Sequence, residues 1–395
     1  MNRKICVITG SRSEYGLLRL VMQEIKDSSD LTLQIIATGM HLSPDFGLTF
    51  KEIEEDGFQI DRKVETLIGD DSPLGIADSM SKGLVGCAKA FNELNPNLIV
   101  VLGDRYEIAV AVLSALVAKI PVAHIHGGEL TVGAFDDALR HSITKMSHLH
   151  FVAAEEYKKR VIQLGEDPER VFLVGGLGVD NINKLALLNK NELEDSLNLT
   201  FQEKSLLITF HPVTLENANS TFQMKELLNA LSDLENTTLI FTLPNADTGG
   251  LELIQTITDF VSNHPNAYAY ASLGQIKYLS CIQHVDGVIG NSSSGLTEVP
   301  SFNKGTINIG GRQMGRLQAS SVINCDPSFP NIKSALKKLY SREFNSKLQS
   351  AVNPYGEGGA CLKIVKYIRE ISLEAIVKKE FYDLPNKIPR YKQND

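Results

Sequence analysis

Residues Asn97–Lys145 read NLIVVLGDRYEIAVAVLSALVAKIPVAHIHGGELTVGAFDDALRHSITK. An unbroken apolar run, NLIVVLGD (97–104), has the look of a strand buried on both faces, and it stops at Gly103-Asp104-Arg105. A helical pattern follows over Glu107–Ala118. A second short apolar run, PVAHI (121–125), ends in His126-Gly127-Gly128-Glu129, and Asp136-Asp137 then opens a basic helical segment to Met146. Strand, helix, strand, helix, each strand apolar throughout, is the signature of a parallel sheet covered by helices on both sides. Carboxylates, imidazoles and glycines gather where these strands end, and open α/β sheets bind ligands at their carboxyl ends.

The same alternation extends in both directions. Toward the N-terminus lie KICVITG (4–10) and LTLQIIATG (31–39), with helices expected over Tyr15–Ser28, Thr49–Asp56 and Gly75–Leu94. Beyond the central stretch come HLHFVAA (148–154), a helix over Glu155–Leu164 and RVFLVGG (170–176). Ile182–Gln202 is polar and helix-prone and reads as the linker. The pattern then restarts with SLLITFHP (205–212), TTLIFTLPN (237–245), AYAYAS (267–272), DGVIGNSSSG (286–295), GTINIGG (305–311) and SSVINCD (320–326). Helices are expected between these strands and over Gly359–Val377.

At 395 residues the chain exceeds one ordinary core. The expected architecture is therefore α/β, with two Rossmann-like doubly wound domains facing across a cleft. Residues 1–185 form the first, 186–365 the second, and 366–395 a helix and tail packing back toward the first. A net charge of −8 speaks against nucleic acid as a partner. No run approaches the roughly 20 apolar residues of a membrane span, and MNRKICVITGSRSEYG is no signal peptide, because Arg12 and Glu14 follow its short apolar core at once. The five cysteines are scattered and odd in number, which fits reduced thiols in a cytoplasmic protein.

The polar groups fall into two sets. In the first domain, Asp104 with either Asp136 or Asp137 reads as an acid–base pair, and Arg105 is placed to pair with and orient them. His124 and His126 share strand parity, and Glu129 follows closely. Two histidines without a third partner pattern make a weak metal signal, so no metal is expected, and His124 reads as a packed, hydrogen-bonded histidine. Arg140 and His141 read equally as helix-surface residues or as ligands. Gly10–Gly16 (GSRSEYG) leads from strand to helix and, with Arg12, suits a phosphate; it is not GxGxxG, so no dinucleotide is expected. In the second domain, the run Asn291-Ser292-Ser293-Ser294-Gly295 resembles a diphosphate cradle, with Glu298 placed one helical turn in to accept sugar hydroxyls. His211, at a strand end, is suited to binding phosphate or moving a proton. Arg312 lies in an arginine-containing loop, and Asn245 ends another strand, where it suits a sugar or base.

Taken in order, TGSRSEYG, TGMH (38–41), LGDRYE, HIHGGE, FDDALRHSITK, FHPVT, PNAD, GNSSSGLTEVP and INIGGRQMGR resemble the hydrolysing UDP-N-acetylglucosamine 2-epimerases of bacterial sialic acid synthesis. The resemblance runs from about Lys4 to Gly358. It implies the two-Rossmann, glycosyltransferase-B-like fold, a homodimer or homotetramer, and no cofactor. It also implies a two-stage reaction. A base removes the proton on sugar carbon 2 as UDP leaves, giving a 2-acetamidoglucal; water then adds at carbon 1 while carbon 2 is protonated on the opposite face. Arg12, His211, Ser292, Ser293 and Arg312 would stabilise the leaving diphosphate, with Arg105, Asn245, Ser294, Gly295 and Glu298 also on the substrate. Asp104, Asp136, His126, Glu129 and His211 would be the catalytic set. One departure stands out: His126 occupies a place where several members carry a glutamate. Either His126, Glu129 or Asp137 takes that role, or the sugar differs, as in the legionaminic acid branch with its UDP-2,4-diacetamido-2,4,6-trideoxy sugar.

Overall fold

The computed structural model describes residues 2–67, 72–131, 135–212, 220–244 and 250–385. Strands β1 (Arg3–Thr9), β2 (Leu31–Thr38), β3 (Arg62–Val64), β4 (Leu98–Leu102), β5 (Val122–Ile125), β6 (Leu149–Val152) and β7 (Val171–Leu173) form one sheet. Its order is β3-β2-β1-β4-β5-β6-β7. Strands β8 (Lys204–Thr209), β9 (Thr237–Thr242), β10 (Ala267–Tyr270), β11 (Gly287–Gly290), β12 (Gly305–Ile309) and β13 (Val322–Cys325) form the other, ordered β10-β9-β8-β11-β12-β13. Every pairing is parallel. The α/β class and the two doubly wound sheets are those expected.

Parity along the strands explains why each sheet is covered on both faces. In β1, Ile5 and Val7 join a core with Leu18, Val21 and Met22 of the helix Arg12–Asp27. Cys6 and Ile8 face the opposite core, with Ala90 and Phe91 of Pro73–Leu94 and Ile108 and Ala111 of Tyr106–Val117. In β8, Leu206 and Ile208 enter one core and Leu207 the other. Sheets buried on both sides need strands that are apolar at every position, which is the pattern that made them visible.

The chain divides into two compact units, one of residues 1–129, 135–177 and 359–395, the other of 130–134 and 178–358. The division falls at Leu177/Gly178 rather than at 185/186, and the first unit resumes at Gly359 rather than at 366. The stretch expected to be a linker is ordered secondary structure of the second unit. It carries the helices Leu177–Lys184 and Lys190–Leu197, the latter opened by a reciprocal Asn189–Glu192 capping box. Leu193 and Leu197 give that helix a buried face within an otherwise polar run. The closing helix, Ala360–Glu370, returns to the first unit, placing Cys361, Ile364, Val365 and Ile368 in the β1 core.

The five cysteines form no disulfide, and all but Cys325 are buried. Among the described residues, no helix is long and apolar enough to cross a membrane. In each sheet the strand order reverses beside the first strand, between β1 and β4 and between β8 and β11. Those switch points are where doubly wound sheets offer a crevice.

Candidate active site

In the first unit the groups cluster at the ends of β1, β4 and β5. Asp104 follows β4 and accepts a hydrogen bond from Arg140. Arg140 lies in the helix Asp136–Met146, is only 4% exposed, and also donates to the His126 carbonyl at 2.9 Å. One guanidinium thereby joins the end of β4, the turn after β5 and the helix. The pairing expected of Arg105 belongs instead to Arg140. Arg105 spends its hydrogen bonds on Glu107, Nε to Oε2 at 3.2 Å and Nη2 to Oε1 at 3.0 Å. The reason is proximity: Glu107 stands two residues on, buried in the first turn of its helix, and offers both oxygens to the planar fork.

Asp136 opens its helix. Burial, and next the charge of Asp104, push its carboxyl up to about 6. Asp137 sits against His141, Oδ2 to Nε2 3.6 Å, so Asp136 is the member of the pair that shares an environment with Asp104. Glu14, from the helix after β1, accepts the Gly10 N–H at 2.7 Å through Oε2, while Oε1 is buried without a hydrogen bond among the described residues. Burial pushes Glu14 up to about 8 against the pull of Arg105, with Glu107 and Asp104 adding to the rise.

His124 is the packed histidine expected. Its Nε2 donates to the Gly103 carbonyl at 2.8 Å, which leaves Nδ1 to accept from Thr144 Oγ1 at 3.1 Å. Burial pulls it down to about 3, so it stays neutral. His126 differs, because β5 ends at Ile125 and His126 takes the left-handed conformation, φ +64°. The parity argument therefore stops one residue short of it. Its Nδ1 lies 3.4 Å from Oε1 of the buried Glu129. Among the described residues, no group of three or more histidine, cysteine or carboxylate side chains is arranged to hold a metal. Arg12, first residue of its helix, pairs at the surface with Glu52 at 3.1 Å.

In the second unit Asn291 is the hub. Its side chain accepts from the His211 N–H at 2.7 Å and donates to the His211 carbonyl at 2.9 Å. Its own carbonyl accepts from Arg312 Nη1 at 3.1 Å and Gln313 Nε2 at 2.8 Å. The ends of β8, β11 and β12 are thus fastened together. Gly290 lets them approach: at φ +142°, a Cβ there would lie 1.9 Å from the Thr209 carbonyl oxygen. Burial, and then the Arg312 charge, pull His211 down to about 4, so its imidazole is neutral at ordinary pH. Ser292 and Ser294 stand hydroxyl to hydroxyl at 3.3 Å, and Tyr278 bonds Ser294. Gly295 lies against Thr306, which donates to its carbonyl at 2.7 Å.

The helix expected from Leu296 onward is shorter. It spans Ser294–Thr297 and gives way to a 3-10 turn over Val299–Phe302, so Glu298 follows the helix instead of lying one turn inside it. Pro300 accounts for this, since its ring would clash with the carbonyl of Leu296 in a continuing helix. Burial pushes Glu298 up to about 7. Asn245 lies outside the described residues.

Residues 23–369 match the family described as UDP-N-acetylglucosamine 2-epimerase. The chain belongs to that family. A relative from Campylobacter jejuni, named GDP/UDP-N,N'-diacetylbacillosamine 2-epimerase (hydrolyzing), is 44% identical over 97% of this chain and 99% of its own. An Escherichia coli relative, polysialic acid biosynthesis protein P7, is 40% identical over 98% of this chain and 100% of its own. The fold is that of the Neisseria meningitidis UDP-GlcNAc 2-epimerase solved with UDP-GlcNAc, at TM-score 0.71, 18% identity, and coverage of 93% of this chain and 100% of that one.

In this epimerase-family chain carboxyl, imidazole and guanidinium groups gather at the strand ends of the first unit, and hydroxyl, amide, imidazole and guanidinium groups at those of the second. The sequence does not single out Glu14 and Glu107, leaves Arg140 open between helix surface and ligand, and shows Asn291 only as part of the serine-rich run. The signals were present but ambiguous: a glutamate inside an apolar helix, an arginine in a basic helix, an asparagine in a run of capping residues.

Proposed function

We propose that this chain is a hydrolysing 2-epimerase of UDP-N-acetylglucosamine, releasing UDP and N-acetylmannosamine. The observation that carries the reading is the pairing of environments at Asp104 and Asp136, with Asp136 held at a pKa of about 6. A carboxylate poised near neutral pH can take the proton from carbon 2 and give one back. In the first stage the carbon 2 proton moves to a carboxylate, a double bond forms between carbons 1 and 2, and the carbon 1–oxygen bond breaks with its electron pair leaving on UDP. In the second, water delivers hydroxide to carbon 1 and a proton is placed on carbon 2 from the opposite face. His126, whose carbonyl accepts from the same Arg140 that binds Asp104, and its neighbour Glu129 are the candidates for the second proton carrier. His211, Ser292, Ser293, Ser294 and Arg312 hold the diphosphate and stabilise its growing charge, and Glu298 takes sugar hydroxyls.

A second reading has a specific support. The 44% relative is named for a diacetylbacillosamine sugar, which carries a further acetamido group. Offering the chain UDP-N-acetylglucosamine and UDP-N,N'-diacetylbacillosamine side by side decides between them. The expected result is free UDP and a 2-epimerised amino sugar, with deuterium at carbon 2 when the reaction runs in heavy water. A UDP-linked epimer without free UDP, or a product without label, rejects the hydrolysing reaction.

A further inference from the structure

Glu107 is a carboxylate in an apolar place. It is the second residue of the helix Tyr106–Val117, where Ile108 through Val112 are all buried, and it is 1% exposed. The chain makes room for it. A Cβ on Gly39 would lie 3.0 Å from Glu107 Oε1, and one on Gly10 would lie 3.5 Å from its Cβ. A carboxylate is retained in such a place only when its oxygens are satisfied, and here both are taken by Arg105. Nε and Nη2 of the guanidinium are thereby fixed in one plane. Among the described residues those are its hydrogen bonds, which leaves Nη1 on a side chain still 37% exposed. Arg105 also follows Asp104 in the chain, and its charge acts on the Asp136 carboxyl, which it pulls down.

We propose that Glu107 is the positioning residue of Arg105, clamping Nε and Nη2 so that Nη1 is presented to an acceptor oxygen of the bound amino sugar. The 2-acetamido carbonyl is the acceptor that matches, being an uncharged oxygen attached through carbon 2 itself. The proposal rests on the epimerase reading for the identity of that sugar. The clamp fixes the Arg105 fork, which a long flexible side chain would otherwise hold only part of the time.

A double-mutant cycle on UDP release tests it, using Glu107→Gln, Arg105→Ala and the pair. With Arg105 present, Glu107→Gln is expected to lower kcat/KM by about tenfold to a hundredfold. In the Arg105→Ala background the same change costs less than about twofold, because the residue it acts through is gone. Added guanidinium ion restores part of the activity of Arg105→Ala when Glu107 is intact and none when it is Gln. Equal losses in both backgrounds, or no loss at all, overturn the proposal. Should Glu107→Gln fail to fold, Glu107→Asp, which keeps the charge but shortens the reach, carries the same cycle. A wild-type protein that releases UDP from neither sugar sinks the epimerase reading instead. The cycle is then read from calorimetric binding of UDP-N-acetylglucosamine, where additive effects overturn the clamp independently.

Discussion

Glu14 is a carboxyl kept in its protonated form by its surroundings. An acid whose folded pKa, about 8, lies above its unfolded value of 4.5 binds more protons folded than unfolded between those limits. Stability from this group is therefore fully present below pH 4.5 and is lost as pH rises toward 8. Glu14→Gln keeps a carbonyl oxygen for the Gly10 N–H and has no charge to desolvate. Thermal melts are expected to show the variant equal to wild type at pH 5 and more stable at pH 9 by on the order of 2 kcal/mol; an equal offset at both pH values rejects the assignment. Asp136 carries a kinetic counterpart. Because Asp104's charge contributes to its rise, a pH profile of kcat/KM should have a limb near 6, and in the residual activity of Asp104→Asn that limb should move to lower pH. A limb that stays in place separates the two carboxylates. The acids that end strands or open helices, Asp104 and Asp136, were legible in the sequence because their neighbours are apolar or turn-forming. Glu14 and Glu107 were not, and Arg140 stayed undecided between surface and site, since each lies inside a helix, and only tertiary packing turns a solvated helix position into a buried one.

At the level of elements, the second unit depends on how closely β8 and β11 end together. The Asn291 bonds to His211 exist only while Gly290 lies against Thr209. Gly290→Ala forces a methyl into a backbone carbonyl at a φ that L-residues rarely adopt. The expected loss is about 3 kcal/mol or more in a chemical denaturation curve. Where the chain still folds, weaker binding of UDP should accompany it, and an unchanged midpoint would show that the two strand ends can separate freely. The long apolar strands were readable for the reason given by their burial: β4 is buried at all five positions. β3 was missed because an edge strand of three residues, two of them exposed and charged, has neither length nor periodicity to announce itself. The 190–197 stretch is helix-prone in sequence but reads as a linker, because its two buried leucines are diluted by acids and amides, and a buried stripe that narrow does not lift a polar run above linker composition.

For the whole molecule, the decisive feature is that the closing helix belongs to the unit that opens the chain. Cys361, Ile364, Val365 and Ile368 are at most 2% exposed, and returning them to water would cost about 6–12 kcal/mol. That is comparable to the entire margin of about 5–15 kcal/mol of an ordinary domain. Ending the chain at Gly358 is thus expected to abolish protection of the β1 and β2 amides in hydrogen exchange while leaving β8 and β11 protected; surviving protection in β1 would show the helix to be dispensable. The alternation of strands and helices made both sheets visible, and the chain's end was expected to pack back on the first domain, but nothing local marks Gly359 rather than residue 366 as the point of return, because an amphipathic helix carries no address. The same arrangement sets an order of events during synthesis. The strands of the first unit leave the ribosome long before Ile368 exists, and the main stretch of the second unit, 178–358, emerges in between. At ribosomal speeds of about 5–20 residues per second, the earlier strands wait roughly 10–40 s with one face of β1 lacking its last covering. The unit begun first is therefore completed last, and for that interval the nascent chain presents the kind of apolar surface that holding chaperones bind.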